Sequence, residues 1–124
     1  MMFSLRFWRR AEIKAAAYLR SIGYRVVASG YRVKEGEVDL IAWDNDVLVF
    51  VEVKSRKNSD APEAAVRFTK QQHVIRAAQA YIAHHKLHET TYRFDIVAVN
   101  ETAGQQPSYR LLRDAFRPAR RASF

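Results

Sequence analysis

The sequence predicts an α/β protein: a mixed sheet of about five strands flanked by helices, in the order α-β-β-β-α-β with a further short strand. Three observations predict it. An alanine-rich stretch with apolar residues at helical spacing is closed by Gly23; two apolar, β-branched runs are separated only by Asp44-Asn45-Asp46; and a second amphipathic stretch leads into the apolar run from Arg93 to Val99. Helical and strand segments in that order build layers of helix around one sheet.

Residues from about Leu5 to Ile22 read as the first helix, with Gly23 as its stop. Its apolar stripe runs Leu5, Trp8, Ala15, Ala16, Leu19 and Ile22, and Glu12 falls inside that stripe. Strands follow at about Tyr24 to Ser29, Val38 to Trp43 and Val47 to Lys54, the last two forming a hairpin. Ser55 to Phe68 is polar and contains Pro62, so it reads as a loop. The second helix starts near Thr69, where Thr69 and Gln72 fit a capping box. Its apolar face is Val74, Ile75, Ala78 and Ile82, led by Gln71. An inner strand at Arg93 to Val99 and a short outer one near Ser108 to Leu112 complete the sheet.

At 124 residues the chain reads as one domain over 1–124, with 1–4 and about 119–124 as tails. A hydrophobic content of 48% supports a packed core and excludes a disordered chain. The absence of cysteine excludes disulfides, thiolate zinc sites and cysteine nucleophiles, and fits a cytoplasmic location. No apolar run approaches the roughly 20 residues that cross a bilayer, and no membrane partner is expected. The net charge of +8 favours an anionic partner, nucleic acid first.

Within this frame, three ionisable residues stand out. Asp39 lies in Gly36-Glu37-Val38-Asp39-Leu40-Ile41, and Glu52 and Lys54 lie in Phe50-Val51-Glu52-Val53-Lys54, both otherwise apolar strands. Charges in such strands are costly unless paired or bound to a metal. Alternation puts Leu48, Phe50, Glu52 and Lys54 on one face. A hairpin loop with an even number of residues pairs Trp43 with Leu48 and Asp39 with Glu52, bringing their β-carbons to ~5 Å. A three-residue loop without a bulge puts Asp39 on the other face. Two carboxylates at that distance repel, and a hard divalent cation such as Mg²⁺ removes the conflict. Such a cation acidifies water and neutralises charge on a phosphate, while Lys54 can hold the attacking water or stabilise developing charge.

Asp39 followed by Glu52-x-Lys54 on the next strand resembles the motif of the PD-(D/E)xK nuclease superfamily, with its restriction-endonuclease-like core. More narrowly, the chain resembles the YraN-like family of predicted endonucleases. The matching segments are Gly36 to Ala42, Leu48 to Lys54 and Arg93 to Val99. Weaker matches are Glu12-x-x-Ala15, Gly23-Tyr24, Lys70-Gln71 and Asp114-Ala115-Phe116. The family commonly has Gly before the helix glutamate, where this chain has Ala11.

The resemblance implies Asp39 and Glu52 as ligands of Mg²⁺ or Mn²⁺, with the Val53 carbonyl as a further ligand and Glu12 contributing to the metal site. It implies Lys54 as the catalytic lysine and Gln71 as an auxiliary polar residue beside it. The activity implied is endonucleolytic, on DNA more than RNA, in repair or recombination.

Arg56, Lys57, Arg67 and Lys70 flank the site in sequence and are candidates for phosphate contact. Asp95 reads as a structural partner of Arg93 or Arg76, and His84, His85 and His88 as a solvated helix end. A homodimer or protein partner stays open. The alternative function is a nucleic-acid-binding accessory module that keeps the fold without turnover, recognisable by indifference to Mg²⁺.

Overall fold

The computed structural model describes residues 4–5, 8–57 and 68–118. Six strands form one sheet: β1 (Ser4–Leu5), β2 (Arg25–Val33), β3 (Gly36–Asp44), β4 (Val47–Lys57), β5 (Tyr92–Glu101) and β6 (Ser108–Phe116). Two helices, α1 (Arg10–Ser21) and α2 (Phe68–His84), complete the described elements. The strands lie in chain order across the sheet. All neighbours are antiparallel except β4 and β5, which run parallel, with α2 in the connection between them. The mixed α/β architecture expected from the sequence is the one observed, with the two-residue β1 added at the edge beside β2.

The core has two layers. Ala15, Ala16 and Leu19 of α1 pack with Leu40, Ala42, Val49, Val51, Val97 and Val99 on one face of the sheet. Val74, Ile75, Ala78 and Ile82 of α2 pack with Ile41, Leu48, Phe50, Phe94 and Ile96 on the other. The period-2 alternation of β4 and β5 thus feeds two helices at once, which is why both faces of these strands are apolar.

Three local devices set the frame. Helix α1 ends on Gly23, whose φ of 100° suits a residue without a β-carbon. There the Tyr24 amide donates to the Leu19 carbonyl and the Gly23 amide to that of Arg20, a Schellman ending. The β3–β4 hairpin closes on two residues, Asn45 and Asp46, with Asp44 paired to Val47 and Asn45 at φ 53°. Gly36 opens β3 directly under α2, where a β-carbon would lie 1.9 Å from the His73 carbonyl oxygen.

Several boundaries differ from the sequence reading. Helix α1 begins at Arg10, not near Leu5, and Leu5 belongs to β1. Trp8 therefore leaves the helical stripe and is 42% exposed. Its arginine-flanked position fits helical periodicity equally well, and edge pairing with β2 decides the matter. Ser4 is likewise a strand residue paired with Arg32, not part of a tail. Strand β2 runs on to Val33 and β6 to Phe116, each longer than alternation suggests, because each carries a register shift against its neighbour. Ser55, Arg56 and Lys57 extend β4 through pairing with Val99, Asn100 and Glu101. Thr69 lies inside α2, which is already helical at Phe68, so it is not the N-cap. The rest of the expected loop, Asn58 to Arg67, and the tail 119–124 lie outside the described residues.

Candidate active site

Asp39 and Glu52 meet where the central hairpin stops being regular. The ladder between β3 and β4 pairs Trp43 with Leu48 and ends at Leu40 with Val51. One step further, in the same register, Asp39 stands opposite Glu52. Alternation also breaks here: Leu40 packs on the α1 side, yet both Val38 and Ile41 pack on the α2 side. The Asp39 carboxylate takes over from the ladder, with its Oδ2 accepting the Val53 amide at 2.9 Å. That bond ties one acid to the main chain between Glu52 and Lys54. It also shows that the even hairpin loop, and not the three-residue alternative, is the one formed.

Both acids are buried, Asp39 at 5% exposure and Glu52 at 4%. Glu52 Oε2 lies 3.6 Å from the Lys70 ammonium, while its Oε1 is buried with no hydrogen-bond partner among the described residues. A buried acceptor left unpaired costs about 1–3 kcal/mol. Burial first, and the Asp39 charge second, push the Glu52 carboxyl well above the usual carboxylate range, with Lys70 pulling it part of the way back. Lys54 follows Glu52 by one pleat and is half-buried. It belongs to none of the ion pairs among the described residues.

Glu12 is buried at 2%, as its place in the apolar stripe requires, but its carboxylate serves α1. Its Oε1 accepts the Arg9 amide at 3.1 Å, the return half of a capping box, and the Ser29 hydroxyl at 3.4 Å. Among the described residues no three His, Cys, Asp or Glu side chains gather closely enough to hold a metal ion. The set of Asp39, Glu52 and Glu12 is therefore not assembled as one cluster. What is assembled is a pair of acids beside the Val53 main chain, one of them with a free buried oxygen. This donor set fits Mg²⁺ or Mn²⁺, which take a few hard oxygens and keep several waters.

The surrounding polar residues divide. Gln71 is half-buried at the start of α2, on the turn that also carries Lys70. Lys70, expected only as a phosphate contact, is the direct counter-ion of Glu52. The signal for this was present: Lys70 precedes Val74 by four residues, which places it on the buried face of α2. Arg56 shares the face of Glu52 and Lys54, two pleats beyond Glu52, and is only 7% exposed, with its Nη1 unpartnered among the described residues. The Lys57 side chain and Arg67 lie outside the described residues.

Asp95 is the other fully buried acid, and it is structural. It accepts the Arg93 guanidinium at 2.9 Å, the Tyr24 hydroxyl at 2.9 Å and the Asp114 amide at 2.9 Å. Arg93 also reaches Asp44 at 2.7 Å, so the network joins β3, β5 and β6 to the end of α1. Arg93, and not the exposed Arg76, is the partner. At the far end of α2, His85 stacks on Tyr81 with ring centroids 4.0 Å apart.

The chain is similar to the uncharacterised protein family UPF0102, whose model matches residues 11–99. That span contains Glu12, Asp39, Glu52, Lys54, Lys70 and Gln71. Similar proteins, each named a UPF0102 protein, occur across bacteria. One from Nitrobacter winogradskyi is 44% identical over 90 residues, 72% of this chain and 76% of that protein. One from Syntrophus aciditrophicus is 39% identical over 118 residues, covering 94% and 92%. One from Rhodococcus opacus is 38% identical over 118 residues, covering 94% and 100%.

Proposed function

The chain belongs to the uncharacterised protein family UPF0102, and for this member we propose a metal-dependent nuclease that hydrolyses phosphodiester bonds of DNA. The observation that carries the proposal is the apposition of Asp39 and Glu52, with one Glu52 oxygen buried and unpaired among the described residues. An acid pair of this kind is costly in a protein that only folds. It becomes useful when a divalent cation shares it.

In this reading Asp39, Glu52 and the Val53 carbonyl hold Mg²⁺ or Mn²⁺. The cation supplies charge neutralisation at the phosphate and a more acidic water. Asp39 is kept oriented by the Val53 amide, which donates to its Oδ2, and this holds the carboxylate beside Glu52. Lys54, on the same face one pleat on, donates to the attacking water or to the phosphate oxygen that gains charge. Gln71 and Lys70 approach from α2, and Glu12 holds the α1 end that packs under the sheet. Among the described residues the connections between strands are short and offer little for reading base edges, which favours recognition of branched or otherwise structured DNA, as met in repair or recombination.

A specific observation favours a second reading, an accessory module that binds nucleic acid without turnover. Lys70 already neutralises part of the Glu52 charge, so the fold can exist without a metal. Cleavage of single-stranded, duplex, flap and four-way-junction DNA, with RNA controls, separates the two. Cuts that require Mg²⁺ or Mn²⁺ and vanish in Glu52→Ala support the nuclease. Salt-sensitive binding equal in both proteins, without cleavage, supports the module.

A further inference from the structure

Beside the acid pair, the turn between β2 and β3 and the first half of α2 border an open cleft of about 400 Å³. Its walls carry Arg32 and Lys34 from the strand side and Lys70 and Arg76 from the helix side, against Glu35 and Glu37. One of those two acids is engaged, since Glu37 lies 4.0 Å from Arg9, which brings a further cation to the rim. The wall spacing is set by the main chain, because Gly36 abuts the His73 carbonyl. Lys70 belongs to both places: it lines this cleft and reaches Glu52 at 3.6 Å.

We infer that this cleft is a binding site for the phosphodiester backbone of nucleic acid, taking the phosphates on one side of the bond to be cut. The inference rests on the nuclease reading of the acid pair. Four cations on opposed walls can meet a polyanion from two sides, which a lone surface arginine cannot do. Lys70 makes the cleft continuous with Glu52, so a strand seated in it is led to Asp39 and Glu52. The lining is polar apart from Val33, so it offers no apolar face for insertion into a lipid surface. The contacts are to phosphate and carry no base information, as structure-selective recognition requires.

The test is binding of labelled duplex, single-stranded DNA and RNA by anisotropy, in a Glu52→Gln background so that nothing is cut. Arg32→Ala/Arg76→Ala is compared with Arg20→Ala/Arg25→Ala, which removes the same charge from exposed positions elsewhere. The expected result is at least a roughly tenfold weaker Kd for the cleft pair at 0.1 M salt, with the salt slope reduced by about 2. The control pair shows a clearly smaller change, and Arg32→Lys/Arg76→Lys recovers most of the loss. Equal Kd and slope for the cleft and control pairs, while the parent chain cuts DNA with Mg²⁺, overturns the cleft and leaves the nuclease standing. Cleft-dependent binding by a parent chain that never cuts supports the cleft and sinks the nuclease. Binding to anionic phospholipid vesicles in place of nucleic acid overturns the cleft.

Discussion

The Lys70 ammonium stands 3.6 Å from Glu52 Oε2, so the buried acid of β4 is served by a cation from α2. A lysine there does two things. It keeps the acid pair tolerable in the folded chain, and it occupies space that a divalent cation would claim.

Lys70→Met should therefore tighten binding of Mg²⁺ or Mn²⁺ at pH 8, where Glu52 has the most negative charge. The Lys70 side chain is 43% exposed, so solvent screens the pair. An effect of ~1 kcal/mol, roughly fivefold in Kd, is the expected size. Calorimetric titration measures it; weaker metal binding in the variant rejects competition by Lys70.

Glu52 also predicts how stability changes with pH. Its folded pKa is raised above the ordinary value of 4.5, so the folded chain holds this proton longer than the unfolded chain does. The proton's contribution is full below pH 4.5 and is lost as pH rises through the raised folded value. Glu52→Gln should thus raise the melting temperature at pH 8 and have little effect at pH 4. Thermal melts across pH in EDTA check this, and a variant equally stabilised at both ends would contradict it.

Divalent metal should stabilise the parent chain and not the variant. At a hundred times Kd, one bound ion adds ~2.7 kcal/mol. Melting with and without Mg²⁺ or Mn²⁺, in parent and Glu52→Gln, gives the comparison. Equal metal-induced shifts in the two proteins would place any bound ion elsewhere.

Asp95→Ala should cost about 3–5 kcal/mol, because it leaves Arg93 and the Tyr24 hydroxyl without their buried acceptor. Asp95→Asn keeps an acceptor and should cost less. Urea unfolding measures both. Metal affinity should be unchanged in the folded fraction of either variant, since Asp95 pairs with Val51 and shares its α1 side of the sheet, whereas Glu52 pairs with Ile96 on the α2 side.

Gly36→Ala brings a methyl group to 1.9 Å from the His73 carbonyl, an overlap that only a shift of β3 against α2 relieves. Overpacking of this kind costs roughly 1–3 kcal/mol or more. Unfolding in urea gives the size, and a neutral outcome would mean that α2 does not pack so closely on β3.

Much of this site was legible in the chain. The turn residues Asp44-Asn45-Asp46 imply a short hairpin loop but leave open whether it is even; the two-residue loop of the structure sets Trp43 against Leu48 and Asp39 toward Glu52. Glu12 was legible as buried, because helical spacing puts it among Ala15, Ala16 and Leu19. Its purpose was not. Whether such a glutamate faces a metal or caps its own helix depends on where the helix begins, and Arg10 instead of Leu5 makes Glu12 the third helical residue. Lys70 was legible as basic, but its partnership with Glu52 joins two elements eighteen positions apart in sequence.

Composition and periodicity alone settle the types of the two helices and the main strands, the alternating faces of β4 and the anomalous acids within them, because burial acts on every residue of a repeating backbone. The end of the β3–β4 ladder beside Asp39, the Asp39 bond to Val53, the Lys70 counter-ion and the cleft beside Gly36 were decided only by the tertiary structure. Each depends on how far one element approaches another, a distance that local pattern does not encode.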